Sequence, residues 1–442
     1  MNSMLRDLLV SLVFLVPWPA LARDCPDMST YFPGNDPDWN QLLVQLNEQF
    51  NQCLDSSEYF ALLGAAELNS GNLSRAIESL ERALLLDPEN GAALIDYAQA
   101  LQEDGQLFAA LEMNTILQER DDVPENLRSQ LAERQELWQG LTRRTRWQAD
   151  IGGGYDNNLN GGPRSDRIAL TLSGEPIFLA LSEEYRAASG GFANLGILAE
   201  QTRFAPDLQH TLSGRVRSRF SENDFSDVVE ITGRYSRRRT GLGLGSAQGA
   251  GFSHLSFGGK ALFTGTDLSG RLELDGGMSA CAEYLAGALQ HQVWHTQRLL
   301  DGIEVKLGAG ARCSPESLEN HSFSVEVNVI NNLAIDEIRL GGDRLGWQFL
   351  SEWQWLGLGG VFATRIELAS LLDDAGYTEL LESNSRRRID RGTVSVQYVR
   401  PYNIMGQDVD FYANIYYQDQ QSNLGLFDVD DAAGALGVRF NF

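Results

Sequence analysis

Apolar and polar residues alternate with a period of two along the second part of the chain, from Arg146 onward. This period is typical of β-strands, whose successive side chains point to opposite faces of a sheet. Clusters of Gly, Asn, Asp and Pro separate the runs and indicate turns. The clearest runs are 212–220, 229–236, 303–311, 323–329, 347–358, 394–399 and 410–417. At about 21 residues for each strand and its turn, residues 146–442 predict an even number of strands, about 14.

Two similar units, 57–90 and 91–124, follow a helical period instead. Small residues recur at matching positions, where we expect paired helices to approach closely: Gly64 and Ala98, Gly71 and Gly105, Ala76 and Ala110. These units resemble the helix-turn-helix repeats of the tetratricopeptide family, although Asn114 stands where an apolar residue is expected. Because such repeats need neighbours to bury their faces, apolar positions in 38–54 and 125–139 predict a flanking helix on each side.

The two ends of the chain carry targeting patterns. Residues 1–22 combine Arg6, an apolar run and a small-residue site at 20–22, which is typical of a cleaved secretory signal peptide. The final alternating run ends on an aromatic residue and resembles the last strand of bacterial outer-membrane barrels, which the barrel assembly machinery recognises. Its apolar face consists of Leu436, Val438, Phe440 and Phe442. Together the two patterns predict export and insertion into an outer membrane.

The composition agrees with a transmembrane barrel in contact with outer-membrane lipid. Only alternate strand residues face lipid in such a barrel, so a mean hydropathy of −0.25 does not exclude one. Aromatic residues suit the girdles at the two membrane interfaces, and we expect these to face outward: Trp347, Trp353, Trp355, Tyr398, Tyr402, Phe411, Tyr416 and Tyr417. In a soluble sandwich, which is the alternative, the same residues would form a core.

The charge is unevenly divided. A net charge of −25 disfavours duplex nucleic acid as a partner, because proteins bind it through Lys and Arg. Residues 23–140 hold 22 acidic and 6 basic residues, whereas residues 141–442 hold 37 and 28. The helical part is therefore the acidic part, and its charge indicates either a solvated face or a docking surface for a basic segment of a partner.

Four cysteines remain after the signal peptide: Cys25, Cys53, Cys281 and Cys313. An even number in an exported chain favours disulfides, with three possible connectivities. We favour Cys25 with Cys53 and Cys281 with Cys313, since each pair then lies within one domain.

No motif indicates a catalytic, metal or cofactor site. His291 and His295 have a zinc-ligand spacing only on a helix, and their surroundings are strand-like, so we interpret them as structural. The glycines of 241–245 lack the Lys-Ser/Thr of a phosphate loop, and neither C-x-x-C nor G-x-S-x-G occurs. We therefore expect a protein that is not an enzyme and has no cofactor.

Arginine accounts for 33 of the 35 basic residues. Several arginines lie on the polar faces of strand runs, where we expect them to line a lumen: Arg215, Arg217, Arg219, Arg234, Arg238, Arg386, Arg387, Arg388 and Arg391. The favoured interpretation is an internal network with inward carboxylates such as Glu230, because guanidinium groups pair bidentately with carboxylates. An anion-attracting constriction for an acidic polymer is the functional alternative.

A helical repeat followed by an outer-membrane barrel resembles two known groups of proteins. Three short segments favour the surface lipoprotein assembly modifier family: residues 154–160, which read Gly-Tyr-Asp-Asn-Asn-Leu-Asn, residues 387–390 and residues 422–424. This resemblance implies that the repeats bind a client lipoprotein or secreted protein and that the barrel passes it to the cell surface. The alternative resemblance, to exopolysaccharide secretins, implies an export pore for an anionic polysaccharide.

The expected architecture is an α + β multidomain protein with helical tetratricopeptide-like repeats followed by an antiparallel transmembrane β-barrel. Its expected segments are a signal peptide at 1–22, an N-terminal segment and helix at 23–56, the repeats at 57–140 and the barrel at 146–442. We expect the protein in the outer membrane of a Gram-negative bacterium, with the N-terminal domain in the periplasm.

Overall fold

The computed structural model describes residues 25–31, 38–172, 175–222, 224–239, 245–274, 280–315 and 318–442. The predicted signal peptide and most of the glycine run at 241–245 lie outside the described residues. The chain divides into two compact units after Leu141.

The first unit is helical. Its helices are α1 (Trp39–Gln49), α2 (Ser57–Asn69), α3 (Leu73–Leu86), α4 (Gly91–Glu103), α5 (Leu107–Glu119) and α6 (Glu125–Leu141). Polar side chains cap three of them, since Asp38, Ser56 and Asn90 each accept a hydrogen bond from a backbone N–H of the first turn. None of the helices in the described residues is both long and apolar enough to cross a bilayer.

The repeat positions have two different physical causes. Ala76, Ala98 and Ala110 are fully buried between helices, and a Cβ at Gly64 would lie only 2.5 Å from Cγ of Leu80. These four positions are small because helices meet there. Gly71 and Gly105, by contrast, lie in turns between helices with φ of 78° and 83°, and no atom lies within 4 Å of a Cβ built on either residue. They are glycine because the backbone is left-handed, which differs from the close approach expected from the sequence.

Asn114 is the departure from the repeat pattern, and it is fully buried. Its Nδ2 donates hydrogen bonds to the carbonyl oxygen of Leu131 and to Oε1 of Gln135, while its Oδ1 accepts one from Nε of Arg134. The amide thus joins α5 to α6, because every one of its polar atoms is paired across that contact. A disulfide between Cys25 and Cys53 ties the segment before α1 to the residues that follow it.

Substitution of Gly64 by Ala tests the close contact between α2 and α3. The added methyl group collides with Leu80, so we expect Gly64→Ala to lower the free energy of unfolding of the helical unit by about 1–3 kcal/mol. Urea unfolding of the full chain, followed by far-ultraviolet circular dichroism, measures the change. Gly91→Ala is the matched control, since no atom lies within 4 Å of its Cβ; equal loss from both variants would contradict the packing explanation.

The second unit is a closed antiparallel barrel of 14 strands, which confirms the predicted fold class. Its strands are β1 (Arg143–Asp156), β4 (Gly190–Ala205), β5 (Leu208–Ser221), β6 (Val228–Arg239), β7 (Ser246–Phe257), β8 (Lys260–Leu274), β9 (Cys281–Trp294), β10 (Gly302–Cys313), β11 (His321–Ala334), β12 (Arg344–Gly357), β13 (Gly360–Asp373), β14 (Arg388–Ile404), β15 (Gln407–Ser422) and β16 (Val429–Asn441). Two further strands, β2 (Arg167–Leu172) and β3 (Glu175–Ala180), form a separate hairpin.

Pairing of β1 with β16 closes the sheet. The register places Gly152 opposite Gly437 and Ile151 opposite Val438. A Cβ on either of these two glycines would collide with the hydroxyl group of Tyr412, which reaches them from the neighbouring β15. Both strands therefore need glycine at this junction.

The outer surface of the barrel is apolar, as lipid contact requires. Large apolar side chains alternate outward along the strands and remain exposed, among them Ile151, Ile197, Leu212, Leu307, Ile415 and Leu436. A row of outward aromatic rings crosses β12, β13 and β14, with centroid distances of 4.4, 4.9 and 4.6 Å along Trp353, Trp355, Phe362 and Tyr398. Such rows are typical of an interfacial girdle.

Tyr416 is the exception among the aromatic residues expected to face outward. It lies beside Arg391 and Gln418 on the lumen side, and its hydroxyl donates to Oε1 of Gln418. The correction follows from strand geometry, because the adjacent residues Tyr416 and Tyr417 must point to opposite faces and Tyr417 is the exposed one.

The two mouths of the barrel differ. At the mouth where β1 begins, which we call the short-turn mouth, hairpins such as 206–207, 358–359 and 405–406 connect the strands. The disulfide between Cys281 and Cys313 joins directly opposite residues of β9 and β10 at this mouth. At the other, the loop mouth, the connections include 157–189, 335–343, 374–387 and 423–428.

Candidate functional site: the lumen and its covered mouth

The five candidate arginines of β5 and β6 face the lumen. Arg215, Arg217 and Arg219 lie on the face opposite the exposed Leu212, Val216 and Phe220, and Arg234 and Arg238 lie opposite the exposed Ile231 and Tyr235. A cavity of about 350 Å³ is lined by Arg217, Arg219 and Arg439 together with Asp150 and Glu230. A second cavity, of about 490 Å³, is lined by residues that include Arg234, Arg271, Lys306, Glu326 and Arg365. Both cavities lie inside a lumen with mixed charge.

Three of the five candidate arginines form ion pairs with carboxylates. The shortest nitrogen–oxygen distances are 3.0 Å from Arg219 to Asp156, 3.8 Å from Arg234 to Asp267 and 3.1 Å from Arg238 to Glu273. Arg215 and Arg217 have no carboxylate oxygen within 4.0 Å in the described part of the chain.

The lumen also contains ion pairs that the sequence patterns did not single out. Nitrogen–oxygen distances are 3.4 Å for Arg271 with Glu326, 2.9 Å for Lys306 with Glu304 and 3.1 Å for Arg391 with Glu367. Tyr284, which is buried, donates from its hydroxyl to Glu326. Each of these carboxylates stands at an inward position of the alternating pattern, so the sequence could have shown that it faces the lumen. Which basic residue it pairs with depends on the register between strands, which the pattern does not give.

Lumen-facing side chains are exposed at one mouth and buried at the other. Arg146, Arg238 and Gln354 are exposed at the short-turn mouth. Asp156 and Asp373, at the ends of β1 and β13 on the loop mouth, are each only 1% exposed. Side chains at the rim of an open barrel would meet water, so loops must cover the mouth at these two positions.

Asp156 forms the first buried ion pair of the loop mouth. Its Oδ2 lies 3.0 Å from Nη1 of Arg219, whose Nη2 donates to the carbonyl oxygen of Leu159 at 2.6 Å. Arg219 therefore holds the end of β1 and the beginning of loop 157–189 together.

Asp373 forms the second buried ion pair of the loop mouth. Nε of Arg344 lies 3.0 Å from its Oδ1, and Nε of Arg387 lies 3.1 Å from its Oδ2. Arg339 lies buried nearby, and burial lowers the pKa of its guanidinium, with Asp373 acting in the opposite direction. This cluster of Asp373, Arg339, Arg344 and Arg387, which we call the Asp373 cluster, was not predicted as a unit, because its members come from β12, β13 and two loops.

The run of arginines at 386–391 divides between different environments. Arg387 is 5% exposed within the Asp373 cluster, and Arg391 faces the lumen beside Glu367. Arg386 is an exposed loop residue, and Arg388 is exposed and paired with Asp390 at 2.8 Å. The expectation that all of these arginines line the lumen is therefore wrong for Arg386 and Arg388. Arg387 and Arg388 are neighbours where the chain enters β14, so they point to different sides.

The three short segments that carry the family resemblance all lie at the loop mouth. Asn158, within 154–160, donates from Nδ2 to the carbonyl oxygens of Gly162 and Asp430. Asn423, within 422–424, accepts from the backbone N–H of Arg388 at 2.7 Å. Arg164, just beyond the first segment, binds Asp419 and Asp430, and these hydrogen bonds raise the pKa of its guanidinium. These segments are distant in sequence, yet their side chains hydrogen-bond to the same group of loops.

The last residues of the C-terminal strand lie on the outer face of the barrel. Phe440 and Phe442 are exposed on the outer face of β16 or just beyond it, and Val438 pairs with Ile151 on that face. Their arrangement leaves a continuous apolar row ending in an aromatic residue.

No cluster of three His, Cys, Asp or Glu side chains suited to a metal ion occurs among the described residues. His291 lies on β9, and His295 follows it with its Nε2 2.8 Å from the hydroxyl oxygen of Thr264.

Comparisons with known proteins identify the helical repeat. Residues 67–131 match the tetratricopeptide repeat family. No curated protein matches the chain.

Solved structures resemble each unit separately. The type III secretion chaperone SycD of Yersinia enterocolitica, in complex with a peptide of the translocator YopD, is 20% identical, covers 23% of this chain and 79% of that chain, and has a TM-score of 0.22. An anion-selective porin from Comamonas acidovorans is 11% identical, covers 68% and 99%, and has a TM-score of 0.34. OpdQ of Pseudomonas aeruginosa is 9% identical, covers 67% and 98%, and has a TM-score of 0.31. At these scores the similarities assign no function.

Arg219→Met tests the first buried ion pair. The variant leaves the buried carboxylate of Asp156 without its cation, so we expect a loss of about 3–5 kcal/mol in barrel stability. The temperature at which the folded band disappears in a heat-modifiability gel reports the loss. Arg239→Met is the control, because Arg239 and its partner Asp207 are both largely exposed; similar losses would show that burial of the pair is unimportant.

Proposed function

We propose that this protein is an outer-membrane translocator that delivers a client lipoprotein or secreted protein to the surface of a Gram-negative bacterium. The helical repeats bind the client in the periplasm, and the barrel passes it. The observation that carries the proposal is the combination of a repeat module with a barrel whose loop mouth is covered. A covered mouth does not suit constitutive diffusion of small solutes, and solenoid repeats commonly provide binding surfaces for proteins.

The orientation rests on the asymmetry of the two mouths. Outer-membrane barrels have short periplasmic turns and longer extracellular loops. By this criterion the loop mouth faces outside and the short-turn mouth faces the periplasm. The chain enters β1 at the short-turn mouth, which supports a periplasmic location of the helical unit.

The charge of the helical unit supports a basic client segment. Residues 38–141 contain five arginines, and contacts inside the unit hold four of them. Arg82 lies over the ring of Phe60, and the other three bind carboxylates, amides or backbone carbonyls: Arg120, Arg128 and Arg134. The exposed carboxylates are in large excess, so a cationic segment gains most from this surface.

The lumen favours a polypeptide over an anionic polysaccharide. An acidic polymer would need a continuous row of available guanidinium groups, but Arg219, Arg234 and Arg238 are engaged by carboxylates. Polypeptides carry both charges and match a lumen of mixed sign. The proposal assigns transport to the chain and no catalysis.

Protease shaving of intact cells tests the proposed function. In cells that lack the protein, we expect at least one lipoprotein or secreted protein to lose surface-derived peptides in mass spectrometry while its total amount stays unchanged. Re-expression of the chain should restore those peptides. An unrelated porin serves as the control for intact outer membranes, and an unchanged surface proteome would refute the proposal.

A further inference from the structure

Hydrogen bonds join three of the loops at the loop mouth to one another. The backbone N–H of Thr171, on β2, donates to the carbonyl oxygen of Leu380 at 2.8 Å, and that of Arg164 donates to Asp428 at 2.7 Å. Nδ2 of Asn423 donates to the carbonyl oxygen of Arg386 at 2.9 Å. The described residues of loops 157–189, 374–387 and 423–428 therefore form one connected layer, which we call the cap.

Arg387 occupies the centre of these contacts. Its guanidinium lies 4.6 Å from the ring centroid of Tyr377 and 4.5 Å from that of Phe427, so it is held between two loops by cation–π contacts. The same guanidinium binds Asp373 on the barrel wall. One side chain thus fastens loops 374–387 and 423–428 to the end of β13.

The electrostatics of the Asp373 cluster make this fastening reversible. Three guanidinium groups lie around Asp373, and Nε and Nη1 of the buried Arg339 have no hydrogen-bond partner among the described residues. Buried ion pairs recover hydration when they separate, so they add little net stability although they specify one arrangement. An apolar seal of the same extent would recover no hydration on opening.

We propose that the cap is a gate that opens when Arg387 leaves Asp373, Tyr377 and Phe427. This inference rests on the proposed function, since it assumes that a client passes through the barrel. In the closed state, the cap covers the rim at Asp156 and Asp373, as the structure has it. In the open state, loops 374–387 and 423–428 separate and the lumen becomes continuous with the outside.

Planar bilayer recordings of the purified full chain test the gate. We expect a small current from the native protein and a larger, longer-lived one from Arg387→Ala and from Asp373→Asn. Arg388→Ala is the matched control, since Arg388 is the next residue and pairs with Asp390 at an exposed position. A heat-modifiability gel confirms that each variant is folded. Unchanged current in both folded gate variants, or an equal rise in the control, would overturn the proposal.

A cross-link provides the converse test without weakening the fold. Thr171→Cys together with Leu380→Cys should form a disulfide between two loops of the cap. We expect the oxidised variant to lose surface display of the client and to regain it on reduction, whereas the native chain under the same reductant shows no change.

The two tests separate the gate from the proposed function. Normal client display by the cross-linked variant would overturn the gate while leaving translocation intact. Increased current in Arg387→Ala, with a surface proteome that never depends on the protein, would support the gate and refute the proposed client.

Discussion

Closure of the sheet between β1 and β16 is the constraint on which the barrel depends. Closure leaves no free strand edge and gives every strand one face toward the outside and one toward the lumen. Gly152 and Gly437 permit the junction because Tyr412 crosses both of them from the lumen side. Since the outer face is mainly apolar, most charged residues on the strands lie in the lumen, where many of them are paired.

The lumen pairs charges mainly between neighbouring or nearby strands. Arg234 with Asp267, Arg238 with Glu273 and Arg391 with Glu367 each join residues from different strands. At the loop mouth the same principle extends to loops, because Arg219 and Arg387 bind carboxylates at the ends of β1 and β13. The interactions that make the lumen polar thus also close one of its mouths.

Alternation along a strand shows which residues share a face, and it puts the five candidate arginines of β5 and β6 opposite the exposed apolar residues of these strands. The same rule shows that Tyr416 and Tyr417 cannot both face outward, because adjacent strand residues point to opposite faces. The composition of the repeat units similarly identified Ala76, Ala98 and Ala110 as positions of close helix contact, whereas the left-handed backbone at Gly71 and Gly105 needs a local conformation that the repeat pattern does not distinguish.

The amino-acid sequence by itself determined the two kinds of unit, the even strand number near 14 and the face on which most side chains lie, because these follow from short-range periodicity. Only the tertiary structure decided which arginine meets which carboxylate and that the loop mouth is covered. The Asp373 cluster, for example, draws residues from β12, β13 and two loops. Pairings of this kind depend on strand register and loop packing, which bring together residues far apart in the chain.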